Sequence, residues 1–268
     1  MTGFSSAHFL NGLAISAVVV LVVLGITFAA ARFTGKHSVI DTAWGLLFGA
    51  VAVATFIASA GHGDPARRLL LLILPLAWGI RLAQHIGRRS IGKPEDPRYA
   101  ALLSKAPGDP SMYALRMIYL LQGSLAFLIS APIQVGAYEH GRVGPLAWAG
   151  VAVWTIGVLF EAVGDHQLEA FRRDAANKGR LIGTGLWRYT RHPNYFGDAC
   201  VWWGIFLVAA EHWPGVLTIA APAVMTLLLT KGSGARILDR HMSGREGWAQ
   251  YAARTSGFFP LPPRKSPR

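Results

Sequence analysis

The stretch Phe9-Leu-Asn-Gly-Leu-Ala-Ile-Ser-Ala-Val-Val-Val-Leu-Val-Val-Leu-Gly-Ile-Thr-Phe-Ala-Ala-Ala31 runs for 23 residues without Lys, Arg, Asp or Glu. As a helix it is long enough to cross a hydrocarbon core of ~30 Å. It exceeds the apolar core of a signal peptide, and no Lys or Arg precedes it, so it predicts a retained transmembrane helix. Six more apolar segments follow, near 38–60, 67–86, 112–134, 146–164, 195–210 and 213–231. The composition of the 268 residues agrees: 52% hydrophobic and 15% charged is too apolar for an ordinary soluble domain. With no internal repeat and no linker, the expectation is one all-α, polytopic domain over 1–268 with seven transmembrane helices.

Lys and Arg accumulate in short cytoplasmic loops, so their positions orient the chain. With the N-terminus outside and the C-terminus cytoplasmic, 22 of them fall inside and three (Arg67, Arg68, Arg142) outside, with Arg81 within a span. Every polar cluster is then cytoplasmic. The net charge of +12 lies beside membrane segments, which points to anionic lipid headgroups rather than nucleic acid. Cys200 is the single cysteine, and no His pair has ligand spacing on a predicted helix, so no metal is expected.

Polar residues at the mouth of a membrane helix mark a ligand site or an anchor. The richest run is Gly183-Thr-Gly-Leu-Trp-Arg-Tyr-Thr-Arg-His-Pro-Asn-Tyr-Phe-Gly-Asp198. Just before it, Glu161, Asp165 and Glu169 share one helix face, followed by Arg172 and Arg173. A solvated helix exit held by ion pairs explains that spacing equally well, although Glu161 lies deepest. Arg180, Arg188 and Arg191 among Gly179, Gly183 and Gly185 supply guanidinium forks and open backbone amides, as phosphate groups require. Lipid headgroups fit the same loop. Asn194 and Asp198, four residues apart, point the same way and suit a carboxamide or ribose hydroxyls. The strand-linked dinucleotide fingerprint is absent. The C-terminal segment adds Arg240, Tyr251 and Arg254 to the cytoplasmic side. The loop Gly92-Lys-Pro-Glu-Asp-Pro-Arg-Tyr99 reads as one braced by its own ion pairs.

The motifs Gly183-Thr-Gly-Leu-Trp187, Arg191-His-Pro-Asn-Tyr-Phe-Gly-Asp198, Trp202-Trp203-Gly204 and Gly247-Trp-Ala-Gln-Tyr251 through Phe259-Pro260 resemble the steroid 5α-reductase family, in particular its bacterial branch. Glu95-Asp-Pro-Arg-Tyr99 is similar to that branch as well. The resemblance implies an integral protein of the bacterial inner membrane that reduces an enone with NADPH. Residues 1–134 would face the substrate, and 146–268 would hold the cofactor, entering from the cytoplasm. The cofactor residues it implies are Asp165, Arg172, Arg180, Arg191, His192, Asn194, Tyr195, Asp198, Arg240 and Tyr251. The family's Gln-Glu pair on span two and Tyr on span three do not appear literally. Asp41 is the only acid near the start of span two, Trp78 lies near the place of the Tyr, and Arg81 falls where the family has an Arg.

The implied chemistry delivers hydride to the β-carbon of a 3-oxo-Δ4-steroid, and charge develops on the carbonyl oxygen. A donor aimed at that oxygen contributes about 2–4 kcal/mol. Asp41 and Glu161 are the candidate acids, with Trp78 beside them; an N-cap, or an ion pair with Lys36 or Arg81, accounts for Asp41 equally well. Trp44, Trp78 and Arg81 are the expected substrate contacts. Three alternatives stand beside this reading: an S-adenosylmethionine-dependent methyltransferase of the isoprenylcysteine type, which shares Arg-His-Pro-x-Tyr, a reductase of a non-steroid lipid enone, and a non-catalytic lipid-binding or scaffold protein whose Arg clusters meet headgroups.

Overall fold

The computed structural model describes residue 4 and residues 6–232 and 234–264. Lys265 and Arg268, counted above among the inside charges, lie outside the described residues. All regular elements there are helical: α1 (Ser6–Thr34), α2 (Val39–Ala58), α3 (Pro65–Ser90), α4 (Pro97–Leu103), α5 (Pro110–Ala114), α6 (Leu121–Ile129), α7 (Ala131–Gly136), α8 (Pro145–Arg173), α9 (Pro193–Ala209), α10 (Ala220–Thr230), α11 (Ala235–Met242) and α12 (Trp248–Arg254). A π-helical turn, Leu115–Leu120, joins α5 to α6.

Six helical stretches are long and apolar enough to cross a membrane: Ser6–Thr34, Val39–Ala58, Pro65–Ser90, Pro110–Ile129, Pro145–Arg173 and Gly215–Met242. The remaining expected segment, 195–210, is α9, with 17 residues. Large apolar side chains on these helices stand open, among them Leu10, Val18, Leu21 and Ile26 on α1 and Ile57 on α2. Patches of that size are unstable in water and natural against lipid tails. The chain therefore reads as a multi-pass membrane protein.

The chain divides into two compact units, the first formed by residues up to Trp148 with Ile205–Ala221, the second by Ala149–Gly204 and Pro222 onward. In the first unit α2 and α3 form a hairpin whose backbones touch where Gly45 meets Gly79; a Cβ on either would strike the other's carbonyl oxygen. Trp78, fully buried, sets its ring against Phe48 at 5.8 Å. Three helices of this unit open on the same dipeptide, Asp64-Pro65, Asp96-Pro97 and Asp109-Pro110. Each aspartate accepts a hydrogen bond from a backbone N–H in the first turn, at 2.8–2.9 Å. Proline needs no partner at the first helical position, so the pair satisfies an orphan donor and sets φ together.

At the far end of α2 and the start of α3, Arg67 is wholly buried. Its guanidinium donates to the carbonyls of Gly141 (2.8 Å), Arg142 (3.2 Å) and Val208 (3.3 Å) and faces Glu139 at 3.4 Å and Glu211 at 3.8 Å. Glu211 in turn accepts from the backbone of Gly144 and Leu146. One arginine thus ties the start of α3 to two other segments of the first unit, 139–142 and 208–211.

In the second unit α8 and α9 run antiparallel with almost no space between them. Gly157 and Gly197 face each other, so a Cβ on either would lie 2.5 Å from the other's carbonyl oxygen. Gly204 does the same against Gly150, and Gly164 admits Pro193. Glycines one heptad apart on α8 form a continuous seam.

Candidate functional site

Two polar assemblies stand out, one in each unit. In the first unit the 92–99 loop is tied down by more than its internal ion pairs. Glu95 accepts hydrogen bonds from the backbone N–H groups of His37 and Ser38, closing the N-terminal end of α2. Burial pushes its carboxyl up, but the Ser38 hydroxyl and the backbone N–H groups of His37, Asp96 and Ser38 together hold it below the usual range. Arg98 pairs with Asp96 at 3.0 Å, the bracing expected from the sequence, and reaches on to Asp41 at 2.9 Å. The hydroxyl of Tyr99 donates to the other oxygen of Asp41, and Gln122 donates to that hydroxyl at 3.2 Å. Burial, followed by the charge of Asp41, raises the Tyr99 phenol well above its ordinary range, so the group keeps its proton.

Asp41 is therefore partnered by Arg98 and Tyr99. Among the described contacts neither Lys36 nor Arg81 fills that place; Lys36 donates to the carbonyl of Lys93. Trp44 is half-buried and stacks edge-on against Phe48, which also meets Trp78. Arg81 is half-buried on α3. The sequence marks Tyr99 only as the end of the Glu95–Tyr99 motif, without a role; the fold brings it to Asp41 across 58 positions.

In the second unit Glu161 and Asp165 are buried on α8, while Glu169, one turn on, is exposed and pairs with Arg173 at 2.6 Å. The stripe is thus a solvated exit at its end and a buried polar face at its root. The missing side chain of Gly197 leaves room for the Glu161 stem. Asn194, Tyr195 and Asp198 are half-buried on the first turns of α9, and the Asn194 side chain accepts from the Tyr195 N–H at 3.1 Å. Arg172, Arg180 and Arg240 are exposed.

Segment 183–192 is fastened along its length. Gln167 accepts from the Leu186 N–H at 2.9 Å, and the Trp187 indole donates to the Gly164 carbonyl at 3.0 Å. The C-terminal segment closes over the other side: Tyr251 donates to the Trp187 carbonyl at 2.8 Å, and Thr190 to that of Phe258 at 2.8 Å. Tyr189 accepts from Leu261 at 3.0 Å. Arg191 is a clamp within this fastening. Its guanidinium pairs with Asp239 at 2.7 Å, donates to the carbonyls of Ala252 and Thr255, and lies over the Trp248 ring. His192 meets the same Asp239 at 2.8 Å and stacks on Tyr195. Burial lowers its pKa, opposed by Asp239, so the imidazole resists protonation.

Beside the clamp opens a cleft of about 510 Å³. Gly183, Thr184 and Gly185 form one wall, with Gly185 at φ 59°, a left-handed conformation that glycine adopts freely. Arg188, Gln250, Tyr251 and Arg254 form the other. Bare backbone, two guanidiniums and an amide make a receptor for phosphate oxygens. Tyr251 lines the cleft, with its hydroxyl committed to the Trp187 carbonyl. Arg254 joins from the C-terminal segment.

Comparisons with known proteins bear on both assemblies. Bovine 3-oxo-5-alpha-steroid 4-dehydrogenase 1 is 27% identical over 161 residues, 57% of this chain and 57% of its own length. An uncharacterised protein of Schizosaccharomyces pombe is 22% identical over 231 residues, 77% of this chain and 66% of its own. The chain spans less than two thirds of the length of either curated relative. No solved structure matches. A family model described as a protein of unknown function, DUF1295, matches residues 27–255, which include the Asp41–Tyr99 pair, the clamp and most of the cleft wall. By that match over most of its length, the chain belongs to the DUF1295 family.

Proposed function

We propose that the protein is an NADPH-dependent membrane reductase that converts a 3-oxo-Δ4-steroid, or a closely similar polycyclic enone, to its 5α-dihydro product. The observation that carries the reading is the hydrogen-bonded Asp41–Tyr99 pair, a phenol that keeps its proton beside a carboxylate. The similarity to the bovine steroid dehydrogenase supports the substrate class. The residues of the second unit fit the cofactor: the cleft offers guanidiniums and open backbone to phosphates, and Asn194 with Asp198 offers an amide and a carboxylate to a carboxamide or ribose. When bound, NADPH would supply the hydride that the β-carbon of the enone receives.

The chain's own contribution is to the oxygen. As hydride arrives, negative charge moves to the carbonyl, and the Tyr99 hydroxyl turns from Asp41 to donate to it. Asp41, held by Arg98, keeps the phenol oriented until that turn, and Gln122 holds the phenol in position. A proton reaching the α-carbon completes the reduction. In the membrane, α9 serves as the seventh span, the N-terminus lies outside and the C-terminus in the cytoplasm of a bacterial cell. The apolar substrate arrives through the lipid.

The test is the purified protein in detergent with NADPH and a 3-oxo-Δ4-steroid, the 5α-dihydro product being read by mass spectrometry. Tyr99→Phe should lower kcat about 10²–10³-fold, the loss of one oxyanion donor, with the NADPH affinity unchanged. If the wild type yields no product and binds S-adenosylmethionine instead of NADPH, the methyltransferase reading replaces this one.

A further inference from the structure

The cleft beside the Arg191 clamp identifies which cations are available to a ligand. Arg191 is nearest the family-like motif, yet Asp239 and two carbonyls already engage its guanidinium. Arg173 is paired with Glu169. Arg188 and Arg254 are exposed, line the same cleft, and have no carboxylate among the residues lining it. Thr184 and Gln250 add neutral donors between them. Two guanidiniums in a cleft lined by no carboxylate suit a doubly charged phosphate monoester, which accepts their forked hydrogen bonds. A bridging diphosphate carries its charge along a chain and needs backbone on both sides. An exposed pocket lined by two arginines suits a terminal, fully solvated dianion.

We propose that Arg188 and Arg254 together read the 2′-phosphate of the adenosine end of the cofactor and so set the preference for NADPH over NADH. This rests on the reductase reading above. Gly183 lets the sugar approach, since it places no side chain beside the Tyr251 ring, whereas the bare Gly185 makes room for Gln167.

Adenosine 2′,5′-bisphosphate and adenosine 5′-monophosphate differ only in the phosphate at issue, so binding of each to the full chain in detergent, by calorimetry, isolates it. In the wild type the bisphosphate should bind about tenfold or more tightly, the effect of a charge-assisted contact. In Arg188→Ala/Arg254→Ala that difference should collapse to about twofold, while 5′-monophosphate affinity and melting temperature hold; the retained monophosphate binding shows the variant is folded. Preference surviving in the variant overturns the assignment and leaves the reductase reading intact. Equal weakening of both compounds also overturns it and assigns the cleft to the 5′-phosphate. A wild type that binds neither compound removes the reductase reading itself.

Discussion

Glu139 shows what a buried carboxyl does when its partner stands slightly too far away. It is 3% exposed, and Arg67 approaches to 3.4 Å, looser than a charge-assisted hydrogen bond. Burial therefore outweighs the arginine, and the nearby Glu211 adds repulsion, so the carboxyl is pushed up to about 8 from the usual 4.5. The folded protein thus holds this proton more tightly than the unfolded chain. The stability it confers is complete below about 4.5, declines by on the order of 1 kcal/mol per pH unit as the unfolded chain ionises, and is gone above about 8. Glu139→Gln keeps the shape and removes the titration. Melting curves in detergent from pH 5 to 8 should fall for the wild type and lose most of that slope in the variant, which should be the more stable of the two at pH 8. A variant with the wild-type slope would assign the titration to another group.

At the level of elements, the α8–α9 pair is the most tightly specified contact in the second unit. A side chain at Gly157 would meet the Gly197 carbonyl oxygen at 2.5 Å and the Val201 amide at 2.7 Å, backbone atoms that cannot turn aside. Gly157→Leu should therefore part the helices and cost about 1–3 kcal/mol or more, seen as a lower melting temperature and loss of the ordered 183–192 segment's protection in hydrogen exchange. Gly25→Leu on α1, where nothing lies within 4 Å, should leave the melting temperature unchanged within about 0.5 kcal/mol. The helices themselves were legible, because apolar length is a local property. The seven expected segments recur as helices or helical stretches, and the Asp-Pro caps explain where two of them, near 67 and 112, begin. The partners of single polar residues were not legible. Asp41 chooses Tyr99 and Arg98, and Arg191 chooses Asp239, across separations of 48 to 58 residues that no local spacing encodes. Hence the motif around Arg191 located the site, while the role of that arginine as a clamp required the fold.

For the whole molecule, the reading depends on which ends of the helices meet the cytoplasm. Counting Lys and Arg gave 22 against three, and the structure sharpens the contrast. Of the three expected outside, Arg67 is wholly buried against Glu139 and Glu211, and Arg68 donates to Ser59 and the Phe56 carbonyl. Those two are bound up in the fold, whereas Arg88, Arg89, Lys93 and Lys105 stand exposed at the other end of the first unit. An orientation rule that acts on accessible cations near span ends thus has still less to hold the first side in the cytoplasm. The prediction is made at three exposed positions in a Cys200→Ser background: Ala60→Cys, Lys105→Cys and Gly244→Cys. In intact cells a membrane-impermeant maleimide should label Ala60→Cys alone, and Lys105→Cys and Gly244→Cys only after permeabilisation. Labelling of Gly244→Cys in intact cells would put the C-terminal segment, and with it Arg254 and Tyr251, beyond the reach of a cytoplasmic dinucleotide. The reductase reading would then fail on topology, whatever the chemistry of its residues.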